Sequence, residues 1–156
     1  MSGGGSPPPA ESFADQAFAA AASAYADTPE SWERAVQAAI AGLFEFLVER
    51  PRQTRACIEA DCGAGPPALA RRDRAIERFT ELLAPGFAAA PAPPPAIVAE
   101  AIAGGIYELI RSYVLEGRLH ELPDVVPDAT VVALSPFLGA AGAVDLVSST
   151  KLRTGR

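Results

Sequence analysis

Metal-binding groups are scarce in this chain of 156 residues, which has two cysteines, Cys57 and Cys62, and one histidine, His120. A structural zinc site needs four Cys or His ligands, usually in closely spaced pairs, and three residues in total do not supply one. Residues five apart fall on different faces of a helix, so Cys57 and Cys62 read as two reduced thiols rather than a disulfide. Basic residues are also short, with 13 Lys and Arg against 19 Asp and Glu, a net charge of -6. Nucleic-acid affinity comes largely from clustered Lys and Arg, so this balance argues against a DNA or RNA reader. The two basic clusters, Arg71-Arg72-Asp73-Arg74 and the tail from Lys151 to Arg156, read as solvated surface.

Two further absences bear on location. The opening Met-Ser-Gly-Gly-Gly-Ser-Pro-Pro-Pro lacks both the basic start and the apolar centre of a secretory signal. The most apolar run, Val131 to Val147, is interrupted by Pro136 and Asp145, so no membrane span and no membrane partner are expected, and a cytoplasmic location is. No segment alternates apolar and polar residues over a strand's length, which leaves an all-α fold.

What is present is a hydrophobic share of 49% and a charged share of 21%, the composition of a globular chain able to bury one core. Residues 1–10, rich in Gly, Ser and Pro, are expected to form a disordered leader. An alanine-rich helix follows from Glu11 to Ala26. Asp27-Thr-Pro-Glu-Ser31 is a start signal, with Thr28 as cap and Pro29 in the first turn, for a helix running to Arg50. On it Trp32, Val36, Ile40, Leu43, Phe44 and Leu47 recur at helical spacing and form one apolar face. Shorter helices are expected over 52–61 and 67–83, the latter with Leu69, Ile76, Phe79 and Leu83 on its apolar side. An Ala/Pro linker over 85–95 leads into a long helix ending near Arg118. The spacing predicts a last helix over 127–139 with Pro136 as a possible kink. The helical domain spans 11–142, about six helices, and 143–156 is expected to be a loose tail.

Chemistry is sparse. Gly104-Gly105 lacks the flanking pattern that cradles a phosphate. Glu100 and Glu108 lie about 12 Å apart along their helix, too far to act on one bond. No acid, base or nucleophile converges with another, so no catalytic residue, cofactor or metal is assigned and the chain does not read as an enzyme. The aromatics Trp32, Phe44, Phe79, Tyr107 and Tyr113 either fill a core or line an apolar pocket with Glu108 or Arg111 as polar contacts. The two central glycines each cost roughly 1 kcal/mol against alanine. Both flanks continue the helix, so close approach of another helix is their best explanation.

The order of Phe46-Leu-Val-Glu-Arg-Pro51, the helix 71–83, a Pro-rich linker, Ile97 to Ile110 with its Gly-Gly centre, Glu116-Gly-Arg-Leu-His-Glu-Leu-Pro123 and Ala133-Leu-Ser-Pro-Phe-Leu-Gly139 resembles the C-terminal domain of TetR/AcrR transcriptional regulators. The resemblance covers about residues 12–142. It implies a ligand-binding and dimerising domain in which the last two long helices of two subunits make a four-helix bundle. Ligand contacts would fall on Trp32, Val36, Ile40, Leu43, Phe44, Phe79, Tyr107 and Glu108. Dimer contacts would fall on Ala101, Gly105, Ile106, Leu109, Tyr113, Val131, Leu134, Phe137 and Leu138. The expected partners are a second copy of the chain and a small hydrophobic or amphipathic molecule. The family's helix-turn-helix is not found in this sequence, so DNA is a partner only if such a segment lies outside it. The alternative is an all-α interaction module that pairs with a related regulator.

Overall fold

The computed structural model describes residues 10–63 and 65–155, and the expected leader falls almost wholly outside that range. The described residues form an all-α bundle with no strand. In chain order the helices are α1 (Ala10–Ala26), α2 (Trp32–Glu49), α3 (Pro51–Asp61), α4 (Pro66–Leu83), α5 (Pro85–Ala89), α6 (Ile97–Leu115) and α7 (Leu122–Thr154), with a 3-10 turn, Leu119–Glu121, before α7.

α2 is the centre of the bundle. Val36, Ile40 and Phe44 are fully buried along its apolar face, and each such side chain contributes roughly 1.5–3 kcal/mol on leaving water. Its first turn is held by Ser31, not Thr28. Ser31 is extended (φ -157°, ψ 153°) and its hydroxyl accepts from the Arg34 N–H at 3.2 Å. Thr28 Oγ1 instead donates to the Ala24 carbonyl, closing α1, so α2 starts three residues later than Pro29. α1 packs along α2 with Phe13, Ala17 and Ala21 inward. A Cβ on Gly42 would come within 2.9 Å of Ala24 Cβ, so small residues on both helices set this close crossing.

The segment 85–95 contains the short helix α5, whose purpose is visible at Gly86. A Cβ there would stand 2.2 Å from Trp32 Cη2, so only glycine lets α5 lie flat on the indole. The ring is fixed on its other sides as well. Trp32 Nε1 donates to the Leu82 carbonyl at 3.0 Å, and Phe137 packs edge-on at 5.1 Å, with Phe87 edge-on to Phe137 in turn.

α6 runs through both central glycines without a break. Gly117 (φ 74°) ends it: the Arg118 N–H bonds the Tyr113 carbonyl at 2.7 Å and the Gly117 N–H bonds that of Val114 at 3.2 Å. This is the left-handed helix stop for which glycine is favoured.

The C-terminal expectations need correction. α7 begins at Leu122, five residues before Pro127, because Pro123 sits in the first turn where its missing N–H costs nothing. Gly139 (φ 78°, ψ 155°), three residues after Pro136, breaks the helix where an end was expected, but a second helical stretch then continues to Thr154. Residues 143–154 are therefore not a loose tail. Ala143 and Val147 are buried, and Arg34 donates to Thr150 Oγ1 at 3.1 Å and Ser149 Oγ at 3.2 Å, tying this stretch to α2. Among the described residues one stretch, Leu119–Arg153, is long and apolar enough by length and composition to cross a membrane. Pro136 and Asp145 do not interrupt it enough to change that, and here it packs one side on α2.

Candidate functional site

Five helices leave a pocket of about 330 Å³ between them. α1 contributes Phe13, Ala17, Phe18 and Ala21, and α2 contributes Leu43 and Leu47. α3 supplies Thr54, Cys57, Ile58 and Asp61. α4 adds Arg71, Arg74, Ala75, Arg78 and Phe79, and α6 adds Ala103, Ile106, Tyr107 and Ile110. The volume is at the lower end of the roughly 300–1,000 Å³ of small-molecule sites, and apolar walls with a few converging polar groups are their usual make-up.

The polar groups gather around Asp61, the last residue of α3. Its carboxylate accepts from Arg71 Nε (2.9 Å, Oδ1) and from the Tyr107 hydroxyl (2.9 Å, Oδ2), linking α3, α4 and α6. Arg71 Nη2 also donates to the Ala60 carbonyl at 2.9 Å. Burial and the donated bond to Asp61 hold the Tyr107 phenol well above its ordinary range, so it stays a neutral donor. Cys57 lies beside the same carboxylate, and burial first, then Asp61, pushes its thiol up to about 11. A thiol in that state is a poor nucleophile at neutral pH. Thr54, though fully buried, donates to the Leu47 carbonyl at 2.8 Å, so its hydroxyl serves the α2 terminus. Across the mouth, Arg78 pairs with Asp15, joining α4 to α1, and lies 5.5 Å from the Phe18 ring centroid.

Of the residues expected at the ligand, Leu43, Phe79 and Tyr107 line this pocket. Val36, Ile40 and Phe44 do not. They are fully buried core on α2, because the apolar face that suggested a pocket is spent on helix packing. Trp32 is wedged between Gly86 and Phe137, at the opposite end of α2 from the pocket residues Leu43 and Leu47. Glu108 lies one residue past Tyr107, where its carboxylate takes Arg111 Nε at 2.9 Å and Arg72 Nη2 at 3.4 Å outside the pocket.

The expected dimer residues divide as well. Ile106 lines the pocket, Leu134 is fully buried, and Phe137 packs on Trp32, so these three face their own subunit's interior. Leu109, Tyr113, Val131 and Leu138 are partly exposed, and Ala101 and Gly105 lie open on α6. On α7 the outward face is turned by about one residue from that expected, with Val132 (64% exposed) and Pro136 at its centre. Gly104 makes only an ordinary contact, its added Cβ 3.9 Å from Ile76 Cδ1, and an added Cβ on Gly105 would meet nothing within 4 Å.

Phe13, Phe18, Ile58, Asp61 and Arg71 were missed by sequence reasoning. Phe13, Ala17 and Ala21 recur at a spacing of four on α1, which was the available signal for its inner face. Arg71 was assigned to solvated surface, yet its side chain is only 20% exposed. Among the described residues no three of His, Cys, Asp and Glu cluster as a metal site would require. A second groove, between α2 and α7, is lined by Arg34, Gln37, Glu45, Val126, Val147 and Lys151, among others. It draws chiefly on two helices and, although larger at about 740 Å³, is more open to solvent than the first.

Compared with known protein families, curated proteins and solved structures, the chain matches none.

Proposed function

We propose that this chain is the effector-binding and dimerising domain of a TetR-like transcriptional regulator, working in the cytoplasm and sensing a small hydrophobic or amphipathic molecule. The observation that carries this reading is the pocket among α1, α2, α3, α4 and α6, apolar on most of its wall and closed at one end by the Asp61–Arg71–Tyr107 cluster. Helix bundles place ligand sites between helices in this way. The open strip of α6 at Ala101 and Gly105, with Val132 outward on α7, supports the dimerising half of the proposal. Such a strip of small residues lets a second helix come close. Operator binding would belong to a helix-turn-helix segment outside these 156 residues. Effector binding would act by shifting the population of two dimer arrangements that space the DNA-reading heads differently.

Sedimentation velocity across micromolar concentrations, paired with melting curves in the presence of amphipathic compounds, tests both halves. Dimers and a saturable rise in melting temperature are expected. A strict monomer whose melting no compound shifts would sink the proposal. A chain that pairs only with a related regulator, and whose melting no compound shifts, would instead be an interaction module.

A further inference from the structure

Arg71, Arg74 and Arg78 come from one face of α4, at spacings of three and four, and all border the pocket. Two carboxylates also line it, Asp15 from α1 paired with Arg78 and Asp61 from α3 paired with Arg71. Hydrogen bonding distinguishes the two signs of charge. Both oxygens of Asp61 are occupied, one by Arg71 and one by Tyr107, and its side chain is only 8% exposed. A cationic guest would meet a carboxylate whose charge Arg71 already compensates, and burying an uncompensated charge is costly. Arg71 is in the opposite position. It spends Nε on Asp61 and Nη2 on Ala60, and its Nη1 donates to no protein group among the described residues. A guanidinium carries five N–H donors in a planar fork suited to a carboxylate.

We propose that the pocket takes a monoanionic amphipath whose carboxylate sits on the Nη1 side of Arg71, with Arg74 and Arg78 at the rim and the hydrocarbon body between Phe13, Phe18, Phe79 and Ile106. This rests on the reading of the pocket as the effector site. Asp61 with Ala60 fixes the guanidinium before the ligand arrives, so little side-chain ordering remains to oppose binding. At the rim the head group competes with Asp15 for Arg78, which makes association sensitive to salt.

Calorimetric titration of the full chain with decanoate, decanol and decyltrimethylammonium, each below its micelle concentration, separates the claims. Decanoate is expected to bind about tenfold or more tighter than decanol, since a hydrogen bond to a charged group contributes about 1.5–3 kcal/mol. The cation is expected to show no saturable binding. Arg71→Lys keeps the charge and loses the fork, and should weaken decanoate while leaving decanol unchanged. Arg78→Gln, at a partly exposed site, serves if Arg71→Lys does not fold, and should flatten the salt dependence of decanoate binding. Equal affinity for decanoate and decanol would overturn the anion proposal and leave the effector pocket standing. Saturable binding of the cation alone would overturn it too. If none of the three binds, the effector reading of this pocket falls with it.

Discussion

Gly105 offers a substitution whose sign depends on what faces α6. It lies inside a regular helix, and an added Cβ would meet nothing within 4 Å of its own subunit. In the isolated subunit Gly105→Ala therefore gains the full helix-interior preference, about 0.8–1 kcal/mol. For a domain of this size that raises the melting temperature by about 2–4 °C. If a second subunit's helix crosses at Gly105, the new methyl stands where the partner's backbone approaches. The gain should then appear only in dilute solution and shrink or reverse as dimers form, while Gly105→Leu should leave the protein monomeric. Urea unfolding at a series of protein concentrations, read from the single tryptophan Trp32, measures the stability term, and sedimentation velocity measures assembly. An equal gain at every concentration, with Gly105→Leu sedimenting as the parent does, would remove Gly105 from any interface. A loss of stability in the dilute monomer would refute the open geometry itself.

Gly86→Ala should act oppositely, costing about 1–3 kcal/mol in urea unfolding because its Cβ would stand 2.2 Å from Trp32 Cη2; a neutral effect would mean that the indole is not held there. Ala143→Asp places a carboxylate where the side chain is fully buried and should lower stability by about 3 kcal/mol or more, whereas a loose tail would tolerate it with no change in melting temperature. Iodoacetamide at pH 8, mapped by mass spectrometry, should label exposed Cys62 well before Cys57, whose pKa is raised to about 11. Because that thiol keeps its proton in the fold after the unfolded chain, with a pKa near 9.0, has lost its own, Cys57 lowers stability as pH rises through the window from about 9 to about 11. Stability rising through that window would refute the burial of Cys57.

The all-α class was readable because helical spacing on α2 and proline placement before α3 and α4 are local signals. The core was readable for the same reason, and Val36, Ile40 and Phe44 fill it. What local pattern cannot say is which apolar face meets another helix and which meets a cavity. Most of the α2 stripe went to packing, and the pocket is lined by residues of α1, α3, α4 and α6 with only Leu43 and Leu47 from α2. The ion pair of Asp61 with Arg71 spans ten residues and a turn, so neither residue signals the other along a single helix. Within the subunit the close approaches fall at Gly42 and Gly86, where the opposing atoms belong to helices distant in sequence or across a turn, whereas Gly104 and Gly105 meet no tight neighbour of their own subunit. The helical stretch past Gly139 was hidden because a glycine beyond the last apolar position is a usual sign of a helix end, which Gly139 obeys, while the stretch that follows is held by tertiary packing of Ala143 and Val147.

α6 carries both proposed activities on opposite sides. Ala103, Ile106, Tyr107 and Ile110 face the pocket, while Ala101 and Gly105 lie open to solvent. A ligand that presses on Ile106 or draws on Tyr107 acts on the same rigid rod that would meet a partner, so binding and assembly should be linked. Linkage is reciprocal: if decanoate changes the dimer dissociation constant by some factor per site, dimerisation must change decanoate affinity by that same factor. Couplings of this kind run at about 1–3 kcal/mol, or roughly 5–150-fold. Sedimentation equilibrium with and without saturating decanoate gives the first factor, and titrations at protein concentrations on either side of the dimer constant give the second. The two factors should agree, and Gly105→Leu should abolish the concentration dependence while leaving intrinsic decanoate binding intact. A dimer constant that saturating decanoate does not move would mean that α6 only separates the pocket from the interface and transmits nothing between them.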